Sequence, residues 1–282
     1  MTLVEKNAVM RPRRKQERKV MVREISPEAF IKKTARAAGR IAQNRFGLSH
    51  NSRAKSNALD VVTESDMLAN ALIIRAIKRH FPQDGIISEE TGKEKDGAEH
   101  VWIIDPIDGT LNYSKGIPFY AVLIARKTNG LTDLACVYDP VHNEMYFAKR
   151  GAGAYLNGKR IHCSTQWTVD NSCGLVSDRL TPSKINLLTR FYQKAPDARI
   201  HMGSIHCAGI SGVYVADGRK DWNITTGHGH VWDYAAPFLI AEEAGCKVTD
   251  FSGKPWNFRD GTQIVIANPI LHTQLLEVVR YL

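Results

Sequence analysis

Trp102-Ile103-Ile104-Asp105-Pro106-Ile107-Asp108-Gly109-Thr110 is the stretch on which the reading of this chain turns. An apolar run, 101–105, reads as a short strand that ends on an acid, and a carboxylate at such a position is costly to bury without a partner. Pro106 and Gly109 impose a tight backbone path beyond it. That path lets Asp105 and Asp108 converge on one point, and a rigid turn offering oxygen ligands suits a hard cation. An Asp-Pro turn followed by an Asx cap is the plainer reading of the same residues.

Working outward, three more groups of acids sit where elements meet. Ser88-Glu89-Glu90-Thr91 follows a short apolar strand over 85–88, a position where adjacent Glu residues are often only surface charge. Asp60-Val61-Val62-Thr63-Glu64-Ser65-Asp66 opens a helix lined by Leu68, Leu72, Ile73, Ala76 and Ile77, and helix N-termini favour acids in any case. His230-Val231-Trp232-Asp233 opens a helix over 231–244, where Asp233 also reads as an ordinary first-turn residue. Ser26-Pro27-Glu28 starts an earlier helix. Strands are expected at 120–126, 132–138, 144–148 and 153–156, with Asn157-Gly158 as a turn. In the second half, strands at 174–177, 200–202, 248–249 and 263–267 alternate with helices at 184–194, 209–216 and 270–281, which points to a mixed α/β body.

Taken together, Asp105-Pro106-Ile107-Asp108-Gly109-Thr110, the later Trp232-Asp233 leading to Glu243-Ala244-Gly245, and Glu89-Glu90 upstream resemble the inositol monophosphatase family over about residues 28–280. The resemblance implies a layered α-β-α-β-α sandwich of the inositol monophosphatase and fructose-1,6-bisphosphatase type. It also implies hydrolysis of a phosphate monoester with two or three Mg²⁺ ions, inhibition by Li⁺, and a homodimer. Carried over residue by residue, Glu89, Asp105 and the Ile107 carbonyl hold a first metal, and Asp105, Asp108 and Asp233 hold a second. Glu89 shares a weaker third. Thr110 with Asp66 orients and deprotonates the attacking water, Glu90 assists that water, and Lys55 faces the metals. The backbone N–H groups of Gly109 and Thr110 cradle the phosphate if a helix opens there. Asp108 and Asp233 lie against the substrate as well.

The sequence departs from the family pattern in places. The stretch 222–230 before Trp232-Asp233 has no Glu, and Ser211 stands where an Asp is common, so both acids expected to bond substrate hydroxyls are missing. Ala236-Pro237 replaces a usual Ala-Gly, and Cys246 a usual Gly. Leu111-Asn112-Tyr113 is closer to the inositol and fructose phosphatases than to nucleotide-directed relatives. His228 and His230 are candidates for an altered substrate pocket. The substrate expectation is therefore a small sugar or polyol phosphate such as inositol 1-phosphate, with histidinol phosphate, fructose 1,6-bisphosphate and 3′-phosphoadenosine 5′-phosphate as rivals.

Composition narrows the rest. The chain has 282 residues, 43% hydrophobic and 24% charged, as an ordinary globular protein does. Its longest apolar runs, such as 121–125, fall far short of the ~18 residues of a spanning helix, so no membrane role is expected. Of the net charge of +9, residues 1–23 carry +6, with eight Lys and Arg against two Glu. Residues 1–24 read as a flexible basic arm and 25–282 as one catalytic domain with lobes at roughly 25–165 and 166–282. The arm suits a nucleic acid or another acidic partner, or a weak targeting peptide. An RNA-binding or transcription-complex protein is the alternative from a different class. Five scattered cysteines without a Cys-x-x-Cys pair argue against a disulfide framework and for a reducing cytoplasm.

Overall fold

The computed structural model describes residues 25–47, 53–54, 61–176, 181–194 and 197–280. The expectations placed on residues 1–24, Lys55 and Asp60 lie outside them. Ser26 accepts the Ala29 N–H and Pro27 sits at the first helical position, which starts α1 (Pro27–Arg45). After β1 (Arg53–Ala54) and β2 (Val61–Val62), Thr63 and Asp66 form a reciprocal capping box that starts α2 (Glu64–His80).

The first large sheet is built from β3 (Gly85–Ser88), β4 (Gly92–Glu94) and β5 (His100–Asp108). After the one-turn helix α3 (Thr110–Ser114) it continues with β6 (Ala121–Thr128), β7 (Leu131–Asp139), β8 (Glu144–Lys149), β9 (Gly153–Leu156) and β10 (Lys159–Arg160). Its eight strands run in the order β10-β9-β8-β7-β6-β5-β3-β4. The chain then passes through β11 (Cys173–Val176), α4 (Pro182–Lys194), β12 (His201–Gly203), α5 (Ala208–Ala216), β13 (Trp222–Thr226), α6 (Val231–Glu243), β14 (Lys247–Asp250), β15 (Gln263–Ala267) and α7 (Pro269–Val279). These five strands make a second sheet ordered β12-β11-β13-β15-β14.

Strand periodicity stacks the layers. On β5, Trp102 and Ile104 pack with Phe30, Ile31, Ile73 and Ile77 of α1 and α2, while Val101 and Ile103 face α5 and α6. On β15, Ile264 and Ile266 face α5 and α6 from the other side, and Val265 and Ala267 pack with Leu187, Phe191, Leu271 and Leu275 of α4 and α7. The order is therefore helices, eight strands, helices, five strands, helices, which is the expected α-β-α-β-α sandwich. The middle helical layer is apolar on all sides because both of its faces are covered. It is also the layer whose N-termini reach the acids of β5.

Candidate active site

β5 does not stop at Asp105. Its pairing with β6 runs to Asp105 opposite Leu123 and resumes at Asp108 opposite Ala121, so Pro106 and Ile107 together oppose Val122. This is a bulge, and proline is tolerated there because no ladder donor is needed. The extra residue has a chemical consequence. Two strand residues three apart point to opposite faces; the bulge re-phases them, and the carboxylates of Asp105 and Asp108 come to one place. Ile107 donates its N–H to Asp105 Oδ1 at 3.1 Å, which fixes the turn.

The middle layer completes the cluster. The first amides of α5 point at Asp108: Ala208 N–H donates to Oδ1 at 3.1 Å and Gly209 N–H to Oδ2 at 2.6 Å, while the Cys207 thiol donates to Oδ2 at 3.0 Å. Orphan donors of a helix N-terminus thus hold an acid. Gly209 favours the approach, since a Cβ there would lie 2.3 Å from Leu123 Cδ2 and 3.0 Å from Asp108 Oδ2. Asp233, in the first turn of α6, accepts the His230 N–H at 2.6 Å. Asp260 accepts the Val231 N–H at 2.8 Å, so a second acid braces the start of the same helix.

Carboxylate oxygens of Asp105, Asp108 and Asp233 lie within 4.8 Å of one another, with Asp105 and Asp108 only 1% and 7% exposed. Burial, followed by the charges of Glu89, Asp108 and Asp233, holds Asp105 well above the usual carboxylate range. Burial and then Asp108 do the same to Asp233. Asp108 is pushed up only to about 6, because its bonds to Cys207, Gly209 and Ala208 work against burial. Three acids this close, two buried and one half-buried, raise one another's proton affinity unless a cation neutralises them. The donor set is all oxygen, which fits a hard divalent ion such as Mg²⁺ better than a thiolate- or imidazole-seeking metal.

Beside the cluster stands a second group. Asp66, fully buried, accepts the Thr63 N–H at 2.8 Å and the Thr63 hydroxyl. Burial pushes it up to about 7, against the bonds from Thr63 and with help from the charges of Glu90 and Glu89. The Thr110 hydroxyl reaches Asp66 Oδ1 at 3.3 Å and the Ile107 carbonyl at 2.8 Å. One proton thus has two acceptors. Gly109 precedes α3 with φ +84°, and a Cβ there would meet the Phe119 carbonyl at 2.8 Å, so only glycine fits. Glu89 and Glu90 follow β3, with the Glu89 N–H donated to the Ile104 carbonyl at 3.2 Å. That bond sets the β3 exit beside the β5 exit.

The expected residues are therefore placed unevenly. Asp66, Glu89, Glu90, Asp105, Ile107, Asp108, Gly109, Thr110 and Asp233 converge. His228 is exposed on the loop between β13 and α6. Ser211 donates its hydroxyl to the Cys207 carbonyl at 2.7 Å, inside α5. Glu243 accepts the Gly151 and Gly153 N–H groups at 2.8 and 2.7 Å, so this part of the motif ties α6 to the first sheet. Cys207 and Asp260 lie in no string that announces a role; packing of α5 and of the loop before β15 brings them in.

Comparison with known proteins decides what this arrangement belongs to. A sequence model described as the inositol monophosphatase family matches residues 26–281. The chain belongs to the inositol monophosphatase family. It is 33% identical over 251 residues to the "Fructose-1,6-bisphosphatase/inositol-1-monophosphatase" of Thermotoga maritima, covering 89% of this chain and 94% of that protein. It is 36% identical over 255 residues to the "Nus factor SuhB" of Escherichia coli K12, with 88% and 93% covered. The solved Thermotoga maritima IMPase structure superimposes with a TM-score of 0.80 at 32% identity, covering 89% of this chain and 95% of that one. Inositol monophosphatase membership thus agrees with both the layer order and the carboxylate cluster, and the family resemblance read from Asp105-Pro106-Ile107-Asp108-Gly109-Thr110 is borne out.

Proposed function

We propose that this chain is a Mg²⁺-dependent phosphomonoesterase acting on a small sugar or polyol phosphate such as inositol 1-phosphate. The observation that carries the reading is the cluster of Asp105, Asp108 and Asp233 oxygens within 4.8 Å, at the meeting of a bulged strand and a helix N-terminus. Two or three ions are assigned to the site, held by Glu89, Asp105, the Ile107 carbonyl, Asp108 and Asp233. Bound Mg²⁺ would lower the pKa of water and neutralise phosphoryl charge.

The chain's own groups do the rest. Asp66, titrating near 7, is suited to taking a proton near neutral pH, and Thr110 lies between it and the cluster. Glu90 adds negative charge beside Asp66, which raises its proton affinity. The backbone of Gly109 and Thr110, opening α3 between the acids and α5, is the assigned phosphate seat. The name of the Thermotoga maritima relative supports a polyol or sugar phosphate. Histidinol phosphate, fructose 1,6-bisphosphate and 3′-phosphoadenosine 5′-phosphate stand as alternatives, with His228, exposed on the loop before α6, as the candidate substrate contact. Phosphate release from these four compounds, with Mg²⁺, with EDTA and with Li⁺, tests the reading. One compound turned over well above the rest, only with Mg²⁺, names the substrate; no turnover of any of them contradicts the assignment.

A second reading has its own support. The Escherichia coli relative is named a Nus factor, and residues 1–23 carry +6. A contact with nucleic acid or an acidic partner through those residues would weaken steeply with salt and vanish when they are deleted.

A further inference from the structure

We infer that the outer face of α1 and α2 is a docking surface for the phosphate backbone of nucleic acid. The two helices carry eight Lys and Arg against three acids. None of the acids is free to balance that charge. Asp66 is buried in the site, Glu28 is bonded to Lys149 at 2.8 Å, and Glu64 is paired with Arg45. Lys78 is matched by Glu94 at 2.7 Å, and Lys32 lies over the Phe147 ring. Lys33, Arg36, Arg40, Arg75 and Arg79 are exposed and have no carboxylate partner among the described residues, although Arg36 lies 5.9 Å from the centre of the Tyr138 ring.

Their spacing makes a surface of them. Lys33, Arg36 and Arg40 follow one another at three and four residues on α1, and Arg75 and Arg79 at four on α2, so each set lines one side of its helix. Two depressions flank α1. One, of about 490 Å³, is lined by Arg36, Arg40 and Gln43, with Asn143 opposite. The other, of about 660 Å³, lies between α1 and α2, where Arg45, Arg75 and Arg79 surround apolar Ile41, Leu68 and Leu72.

Charge complementarity selects the occupant. Four of the five unpaired cations are arginines, whose planar forks match phosphate oxygens two at a time. Phe30, the one aromatic ring within α1 or α2 apart from His80, is buried, so the face offers phosphate contacts rather than base stacking. A lipid surface fits worse, because most apolar residues of both helices are buried against the first sheet, and Met67 and Leu68 are the large apolar side chains the described part of the two helices exposes.

This inference does not depend on the hydrolytic reaction. It shares only its class of partner with the second reading above, which places the contact on residues 1–23. The test uses the full chain and a fluorescent single-stranded RNA of about 20 nucleotides, with affinity read against salt. The variant is Arg36→Gln, Arg40→Gln, Arg75→Gln, Arg79→Gln in one chain, with its melting curve and phosphatase activity as folding controls. Expected is binding whose log–log salt slope falls by about 2 to 3 in the variant, with affinity weaker by roughly a hundredfold near 0.1 M salt. An unchanged slope in a folded variant would overturn the proposal and leave all binding to residues 1–23. So would binding to anionic vesicles or polyglutamate as tight as to RNA, or no RNA binding even at low salt. Deleting residues 1–23 in a parallel sample separates the two readings, since the face predicts that part of the binding survives.

Discussion

Asp105 shows how much a single buried carboxylate costs and what it implies. Fully enclosed and surrounded by Glu89, Asp108 and Asp233, it is held well above its usual range. Such a group is a liability to the metal-free fold and an asset to the metal-bound one. Asp105→Asn is expected to abolish Mg²⁺-dependent hydrolysis, by at least a thousandfold on the order of other electrostatic catalytic losses. In EDTA at pH 8 the same variant should melt at a higher temperature than the parent, because one of the crowded charges is gone. Asp66 gives a pH dependence. It titrates in the fold at about 7 against an ordinary 3.8. Its stabilising contribution is complete below the unfolded value and is lost as pH rises through the folded one. A shift of that size is worth on the order of 4 kcal/mol. The metal-free chain should therefore melt lower at pH 8 than at pH 5, and Asp66→Asn should flatten that difference; Asp108, at about 6, adds a part of the same sign.

At the level of elements, the bulge in β5 and the head of α5 set the geometry. Gly109→Ala forces a side chain into φ +84° and a 2.8 Å approach to a carbonyl. A loss of about 1–3 kcal/mol in denaturant unfolding is expected, with activity falling further. Cys207→Ser retains a donor to Asp108 and should keep Mg²⁺ affinity within a few-fold. Cys207→Ala removes it and should weaken affinity about tenfold, measured by Mg²⁺ titration of activity. These elements also show what was legible beforehand. The acids of β5 could be read because Pro106 and Gly109 announce a turn, and the start of α6 because Val231-Trp232-Asp233 opens an apolar helix. The continuation of β5 to Asp108 could not, since proline reads as a stop until a partner strand shows the bulge. β13 is not among the strands expected from the sequence; its Asn223, Thr225 and Thr226 give it no apolar run, yet all three are buried in the centre of the second sheet. Two of the three donors by which the head of α5 grips Asp108 are backbone amides, which leave no mark on the sequence.

Across the whole molecule, α5 and α6 are packed between two sheets and carry the donors and the acid that complete the site. The close approach of the two helices rests on Gly212, where a Cβ would lie 2.6 Å from Pro237. Gly212→Val should overpack this shared layer by about 1–3 kcal/mol. Because both sheets rest on the same layer, thermal unfolding should remain one transition at a lower temperature, visible as a single calorimetric peak; two separated peaks would contradict the shared layer. Asp66 sits at the buried start of α2 while Lys33, Arg36, Arg40, Arg75 and Arg79 are on the exposed side of α1 and α2, so neutralising those cations should leave the hydrolytic site intact. The most direct test of the central assignment is phosphate release from inositol 1-phosphate and its three rivals by the parent chain and by Asp105→Asn, each with Mg²⁺ and with EDTA. Turnover by the parent in Mg²⁺ alone, absent in EDTA and absent in the folded variant, is the predicted result. Equal turnover by parent and variant, or turnover that survives EDTA, would contradict a metal-dependent reaction at this cluster.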